Sequence, residues 1–300
     1  MISTKTVKND AKLPMLAALL AAHSNHEIIK YSPEKRCTIR ITRGDKNYYA
    51  KVYPTKFLKR NRGGQIHQIG AEFWSLSEAG KLNFRVAKPI EWNAETQTLW
   101  HENLEGRAAI ESLKSIGGGK IAHRIGQAVA LIARCEIVPP RRFDYAEQLK
   151  DSAEFAEQII SRFPRLALAA TNLLNSFAAV ELPERELAPV HGDMHIDQWL
   201  TDVDALGLLD FEDFSLGHPE RDLAFFTVQL EFEYNAIVDF AKLNDEFLKG
   251  YESIGGKLDK QLLDVYAAHK WFSKTAKVAT LEQAENCLKQ AFDCLKQVCI

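Results

Sequence analysis

The sequence has no apolar run near the roughly 20 residues that a bilayer-spanning helix needs. Its opening, MISTKTVKNDAKL, lacks the apolar segment and small-residue cleavage site of an export signal. A cytoplasmic location with no membrane partner is therefore the expectation. Charge excess is also missing. The 38 lysines and arginines nearly balance 40 aspartates and glutamates, leaving a formal net charge of -2, so nothing points to a nucleic-acid partner. Cysteine is scarce: Cys37, Cys135, Cys287, Cys294 and Cys299 are odd in number and spaced like no metal knuckle. Cys287 and Cys294 stand two helical turns apart, too far along an axis for a disulfide. Most of the five read as core thiols in a reducing compartment, with Cys299 exposed near the end. There is no internal repeat, no low-complexity tract, no glycine-rich phosphate loop and no Walker lysine motif, which argues against a P-loop enzyme.

What the chain does have is apolar material. Of its 300 residues, 46% are hydrophobic, enough for one large domain or two smaller ones. LPMLAALLAAH, residues 13–23, carries a proline suited to a first turn and then good helix formers. EIIKYS and CTIRITRGDKNYYAKVYP read as strands by their alternation, with RGDKN as a turn. GGQIHQIGAEFWSLSEAG predicts a flexible GGQ turn and a helix beginning near Ile66. FRVAKPIEW and TQTLWHE are two further strands, giving five strands and one embedded helix in about the first hundred residues. After NLEGR the pattern turns helical, over about 120–135, 145–159, 166–178, 219–248, 258–274 and 280–296, punctuated by glycines and prolines. Only 187–212 breaks it, with WLTD and ALGLLDF as short strands. The expectation is an α+β chain with an antiparallel-sheet lobe over residues 1–102, a hinge at 103–106 and a larger, mainly helical lobe over 107–300.

Residues 191–222, HGDMHIDQWLTDVDALGLLDFEDFSLGHPERD, hold three histidines and seven aspartates around two apolar runs. If WLTD and ALGLLDF form a hairpin through TDVDA, the ends bearing Gln198 and Asp210 lie close together, with Asp193 in the preceding loop. Mg²⁺ takes oxygen ligands, commonly one or two carboxylates plus phosphates and water. Asp210 and Gln198 are the candidate metal ligands, which leaves Asp193 to orient a substrate hydroxyl. The plainer reading is that these aspartates cap turns through nearby backbone donors.

HGDMHIDQWL followed by LLDFEDFSLGHPERDLAFF resembles the catalytic core of the aminoglycoside phosphotransferase superfamily, which includes choline, homoserine, fructosamine and macrolide kinases. The residues that carry the resemblance are His191-Gly192-Asp193, Asp210-Phe211, Gly217, Pro219 and Asp222-Leu223-Ala224. It spans about residues 25 to 290. It implies a bilobal protein-kinase-like fold and an ATP- and Mg²⁺-dependent kinase that phosphorylates a hydroxyl of a small molecule. One position departs: Gln198 stands where the family usually has asparagine, one methylene longer but still able to offer an amide oxygen.

By this resemblance Asp193 accepts or orients the acceptor's hydroxyl proton, and Asp210 binds metal at the phosphates. His195, two residues past Asp193, either points toward acceptor or phosphate or packs under the loop. His191 reads as structural, and Asp222 as a brace for backbone donors of the catalytic segment. Lys51 resembles the strand lysine that contacts the α- and β-phosphates, with Glu72 as its expected partner. The SPEKR turn covers the phosphates, so that Arg36 either faces them or braces the sheet. His101, Glu102 and Asn103 occupy the place where such kinases bind adenine through the backbone.

The acceptor is expected near Asp193 and the helices after Asp222. Glu231, Glu233, Tyr234, Asp239, Asp245, Glu246, Trp271 and Phe272 suit an aminated acceptor through charge and cation–π contact. Acidic helix faces are also ordinary solvated surface, so a sugar or antibiotic-like alcohol stays open. The expected assembly is a monomer or homodimer. The competing function is a nucleotide-binding relative with weak or no transfer, acting as sensor or scaffold.

Overall fold

The computed structural model describes residues 10–55, 61–203 and 205–298. Along the chain run α1 (Leu16–Ala22), β1 (His26–Ser32), β2 (Arg36–Arg43), β3 (Lys46–Val52), α2 (Arg62–Glu78), β4 (Arg85–Val86), β5 (Pro89–Asn93), β6 (Thr98–Glu102) and β7 (Arg107–Ala108). There follow α3 (Ala109–Leu113), α4 (Gly118–Ile132), α5 (Tyr145–Arg162), α6 (Ala167–Ala179), β8 (Ala188–Val190), β9 (Trp199–Asp202), β10 (Ala205–Leu208) and β11 (Ser215–Gly217). The last helices are α7 (Pro219–Tyr234), α8 (Phe240–Ser253), α9 (Lys260–Lys277) and α10 (Leu281–Lys296). Two compact units result. One holds the described residues up to Arg107 together with Leu200–Glu212, and the other holds Ala108–Trp199 with Asp213 onward.

The first unit is built on an antiparallel sheet of order β1-β2-β3-β6-β5. Strand alternation gives this sheet two different faces. Cys37, Ile39 and Ile41 of β2 and Ala50 and Val52 of β3 form a core with Leu13, Leu16 and Leu20. Lys51 lies opposite Thr38 on one side and Leu99 on the other, so it belongs to the other face. There Tyr53, Ile66 and Leu99 cluster with Trp92. Helix α2 begins at Arg62, four residues before Ile66, so GGQ is its first turn and not a flexible loop. Gly63 is needed there because a Cβ would lie 2.4 Å from the Trp92 ring. A second sheet of order β4-β10-β9-β7 gathers the short strands of 199–208. This parallel pairing of β10 with β4 is why Leu200–Glu212 groups with the first unit, whereas the sequence placed it with 107–300.

The second unit is mainly helical. Residues of α5, α6, α7, α9 and α10 share one core that includes Leu173, Phe177, Tyr266, Phe272 and Leu288. Side-chain caps fix helix starts at Asp144 for α5, Asp259 for α9 and a Thr280–Gln283 capping box for α10, each worth about 0.5–2 kcal/mol. The helix expected over 219–248 is two. Helix α7 stops at Tyr234, and Asp239 caps a new start by accepting from the Lys242 N–H at 3.2 Å. Of the cysteines, Cys37 and Cys287 are buried and Cys135 and Cys294 half-buried, all as free thiols; Cys299 lies outside the described residues. Among the described residues, no helix is long and apolar enough to cross a membrane.

Candidate functional site

In the first unit, two cations and two carboxylates converge on the face of the sheet that carries Lys51. Lys51 Nζ lies 3.0 Å from Asp210 Oδ2 and is also ion-paired with Glu212. Arg36 Nη1 lies 2.7 Å from Glu212 Oε2 and 3.6 Å from Asp210 Oδ2. The Tyr53 hydroxyl donates to Glu212 Oε1 at 2.6 Å, and Arg62 Nη2 donates to the Glu212 carbonyl at 3.1 Å. Arg36, Lys51 and Tyr53 point the same way because each sits an even number of positions from the paired residues Thr38 and Lys51. Burial by itself lowers the Lys51 pKa, but Asp210 and Glu212 outweigh it and hold the ammonium above its ordinary value. Burial, together with Glu212 and Asp210, raises Tyr53 well above the usual phenol range.

Asp210 follows β10 with φ of 66°. That left-handed conformation is uncommon for a residue bearing a Cβ, and aspartate tolerates it better than most. The next residue anchors it: the Phe211 ring stacks on Phe73 of α2 with centroids 4.3 Å apart. Glu72, also on α2, accepts instead from Gln68 Nε2 at 2.9 Å. The expected Lys51–Glu72 pair is thus replaced by Lys51 with Asp210 and Glu212, two carboxylates delivered to the lysine's own face of the sheet.

The SPEKR turn is bound from the amino-terminal side. Asp10 accepts from the Glu34 N–H at 2.8 Å and from the Tyr31 hydroxyl at 2.9 Å. Farther along the sheet, His101 stacks on Tyr49 at 5.6 Å. The Glu102 N–H donates to the Lys88 carbonyl at 2.9 Å, and the Asn103 N–H to the Asn47 carbonyl at 3.2 Å.

In the second unit, residues 191–198 form a loop held by α7. Asp222 accepts from the His191 N–H at 2.6 Å and the Gly192 N–H at 2.9 Å, one through each carboxylate oxygen. Its neighbour Arg221 donates through Nη1 to the Gly192 carbonyl at 2.5 Å. Burial pushes the Asp222 carboxyl up, against the pull of His191, Arg221 and the two amides. Gly192 has φ of 86°, and a Cβ there would sit 2.1 Å from the Asp213 carbonyl oxygen. Two turns along α7 from Asp222, Gln229 Oε1 accepts from the Ile196 N–H at 2.6 Å.

Between these tethers lies Asp193. His195 Nε2 is 3.4 Å from Asp193 Oδ2 and 3.2 Å from Gln198 Nε2, and His195 Nδ1 is 3.7 Å from Asp197 Oδ2. Burial alone raises Asp193, but His195, Lys270 and His191 overcome it and hold the carboxyl well below its usual value. At neutral pH it is a carboxylate, suited to accepting a hydroxyl's hydrogen bond.

The sequence reading missed four residues here. Glu212 lay in the quoted LLDFEDF stretch, and Tyr53 is the next same-face position after Lys51; both were legible by offset. Gln229 and Lys270 lie on helices with no motif to mark them. Several acidic residues named for the acceptor are engaged elsewhere. Glu233 is paired with Lys274, Asp245 with Lys249, and Glu246 with His123 and Lys249. The Tyr234 hydroxyl donates to Asp197 at 2.9 Å. Trp271 and Phe272 are core residues.

The model of the phosphotransferase enzyme family matches residues 38–272. The chain belongs to the phosphotransferase enzyme family. No curated protein matches it, but solved structures of the same fold do. A choline/ethanolamine kinase family protein from Mesorhizobium loti is 16% identical, with 99% of this chain and 95% of that one covered and a TM-score of 0.58. Choline kinase LicA from Streptococcus pneumoniae is 17% identical, covering 95% and 99%, with a TM-score of 0.59. The amicoumacin kinase hAmiN, solved with AMP-PNP, Ca²⁺ and Ami, is 14% identical over 98% and 96%, with a TM-score of 0.64. The fold is the α+β protein-kinase-like one, with an antiparallel-sheet unit and a mainly helical unit, and the family supports phosphotransfer to small molecules.

Proposed function

We propose that this family member moves the γ-phosphoryl group of ATP, with Mg²⁺, to a hydroxyl of a small molecule. The observation that carries the reading is Asp193: an ionised carboxylate on a loop whose backbone is clamped at two places by α7. Phosphoryl transfer asks for alignment and charge neutralisation more than for covalent help. Asp193 accepts the acceptor's O–H and takes its proton as the new O–P bond forms and the bond from the γ-phosphorus to the β-bridging oxygen breaks, leaving ADP. His195 orients Asp193.

The nucleotide belongs to the first unit. Lys51 and Arg36 hold phosphate oxygens, and Glu102 and Asn103 offer backbone groups to adenine. Glu72 stays in the reading as a secondary support on α2. The donors present fit Mg²⁺: Asp210 and Glu212 supply hard oxygens beside two cations that suit phosphate, and a bound Mg²⁺ takes one or two carboxylates with phosphates and water. Among the described residues no group of three His, Cys, Asp or Glu side chains gathers for a metal. Asp210, with Glu212 beside it, would hold the ion, which would neutralise phosphate charge. The four described cysteines, all free thiols, suit the reducing cytoplasm.

Gln198 favours one second reading, a nucleotide-binding relative with weak transfer, because it stands where the family usually has asparagine and is one methylene longer. Calorimetric titration of ATP, with and without Mg²⁺, into wild type and Asp210→Ala tests the nucleotide site. Binding that needs both the metal and Asp210 is expected. Binding indifferent to both overturns the assignment, and binding without turnover on any hydroxyl acceptor favours the sensor reading.

A further inference from the structure

Lys270, whose charge acts on Asp193, is used by neither the family motif nor the kinase reading. It sits half-buried on α9. Its Nζ lies 3.9 Å from the centroid of the Phe225 ring, and among the described residues it makes no ion pair. Phe225 explains its place. On α7, Asp222, Phe225 and Gln229 share one face by helical spacing. Asp222 grips the loop at His191 and Gly192, and Gln229 grips it at Ile196. The ring under the Lys270 ammonium therefore lies between the two tethers, level with Asp193. The electrostatics agree, since Lys270 and Asp193 each act on the other's ionisation.

The surroundings of Lys270 are cationic. Arg221 Cζ lies 4.6 Å from the same Phe225 ring, and Lys274 and Lys277 follow on α9 at the fourth and seventh positions. Asp193 answers part of this charge, and other carboxylates of this region are committed. Glu233 pairs with Lys274, and Asp197 accepts from Gln229 and Tyr234. An ammonium-bearing acceptor on Asp193 would meet like charge at Lys270 in a partly desolvated place, where repulsion is strong. A carboxylate or phosphate there gains a charge-assisted hydrogen bond.

We infer that the acceptor is an anion: a hydroxyl compound whose alcohol sits on Asp193 and whose carboxylate or phosphate group sits on Lys270. This rests on the kinase reading for the role of Asp193 and deepens it by naming the acceptor class. It runs against the aminated acceptor that the acidic residues of the sequence suggested. Burial lowers the Lys270 pKa to about 7, with Asp193 opposing and Lys277, Lys274 and Arg221 adding to the drop. The free ammonium is thus costly to keep, and an incoming anion restores it.

The test is calorimetric titration of the whole chain with Mg²⁺–ADP present, using glucose, glucosamine, gluconate and glucose 6-phosphate as matched probes. Wild type, Lys270→Met and Lys270→Arg are compared, each checked for cooperative unfolding. The expected result is that gluconate or glucose 6-phosphate binds at least about tenfold tighter than the neutral and aminated probes. Which of the two wins separates a carboxylate from a phosphate group. Lys270→Met loses the preference and Lys270→Arg keeps it. In the wild type the preferred anion binds more weakly as pH rises from about 6 to about 9, and in Lys270→Arg that slope flattens. Anions that bind no better than glucose and glucosamine overturn the inference, as does a preference untouched in Lys270→Met or a slope unchanged in Lys270→Arg. Loss of Mg²⁺–ATP binding in the wild type is read separately and counts against the nucleotide site.

Discussion

Phe211 stacks on Phe73, ring centroids 4.3 Å apart and planes 20° apart, so the residue beside Asp210 is fixed by the helix under the sheet. Phe73 is fully buried. Truncating it in Phe73→Ala should cost about 3–5 kcal/mol of unfolding free energy. It should also weaken Mg²⁺–ATP binding, because Asp210 loses the neighbour that holds its left-handed backbone. Urea unfolding and calorimetry on one preparation check both; intact nucleotide affinity would sink the link from stack to carboxylate.

Asp193→Asn keeps the shape of the side chain but removes the charge that His195, Lys270 and His191 stabilise. Transfer should fall by about 10²–10⁴-fold, while ATP still binds, because its phosphates are assigned to Lys51 and Arg36 and not to Asp193. Steady-state kinetics on an accepted substrate, with ATP titrated in parallel, decide this. Wild-type turnover in the variant would remove Asp193 from its role.

Gly192→Ala meets two obstacles together, a backbone φ of 86° and an approach of 2.1 Å to the Asp213 carbonyl. Backbone strain of this kind costs on the order of 1–3 kcal/mol, and the clash displaces the loop further. The melting temperature and the turnover number should drop together.

Asp222→Asn places an amide donor where the His191 and Gly192 N–H groups need acceptors. One buried N–H is left facing another, at a cost of about 1–3 kcal/mol. Transfer should be reduced even under conditions where the protein remains folded. A variant with wild-type kinetics at 25 °C would show that the loop does not depend on this clamp.

His269 gives the stability a pH dependence. It is buried, takes part in a 2.5 Å hydrogen bond between its Nδ1 and Ser152 Oγ, and stacks on Phe177 at 3.8 Å. Burial lowers its pKa to about 3, whereas an unfolded chain holds histidine near its ordinary value of about 6.5. The unfolded state therefore binds the extra proton first as pH falls. The contribution is fully present above about pH 6.5 and is lost as pH falls toward 3. Between pH 7 and about pH 5 the loss from this group is about 2 kcal/mol. His269→Gln should flatten that part of a urea-unfolding pH profile; an unchanged slope would place its origin elsewhere.

Sequence periodicity was enough for the two-faced sheet, because alternation in CTIRI and YYAKV separates a core side from a charged side. The Asp222 brace was legible from its place in the first turn of a helix that follows the catalytic segment, although its partners, His191 and Gly192, lie about thirty residues earlier. Sequence reading failed at Glu72. A lysine–glutamate pairing between a strand and a helix depends on how the strand after Leu208 returns, and that return brings Asp210 and Glu212 to Lys51 first. It failed again in 219–248, where apolar content hid a stop that the Asp239 cap makes plain. Lys270 was illegible because its meaning comes from Phe225, 45 positions earlier in the numbering, on another helix.

The placement of Leu200–Glu212 with the first unit has a consequence for synthesis. The chain leaves that unit after Arg107, spends residues 108–199 elsewhere, and returns before completing it. Emerging from a ribosome, the five-stranded sheet can form early, yet Lys51 and Arg36 have no Asp210 or Glu212 to meet until position 212 is made. Until then the nascent sheet carries two uncompensated cations on one face. Order of translation thus sets a waiting period before the charges of that unit are paired, and no cut at residue 107 yields it whole.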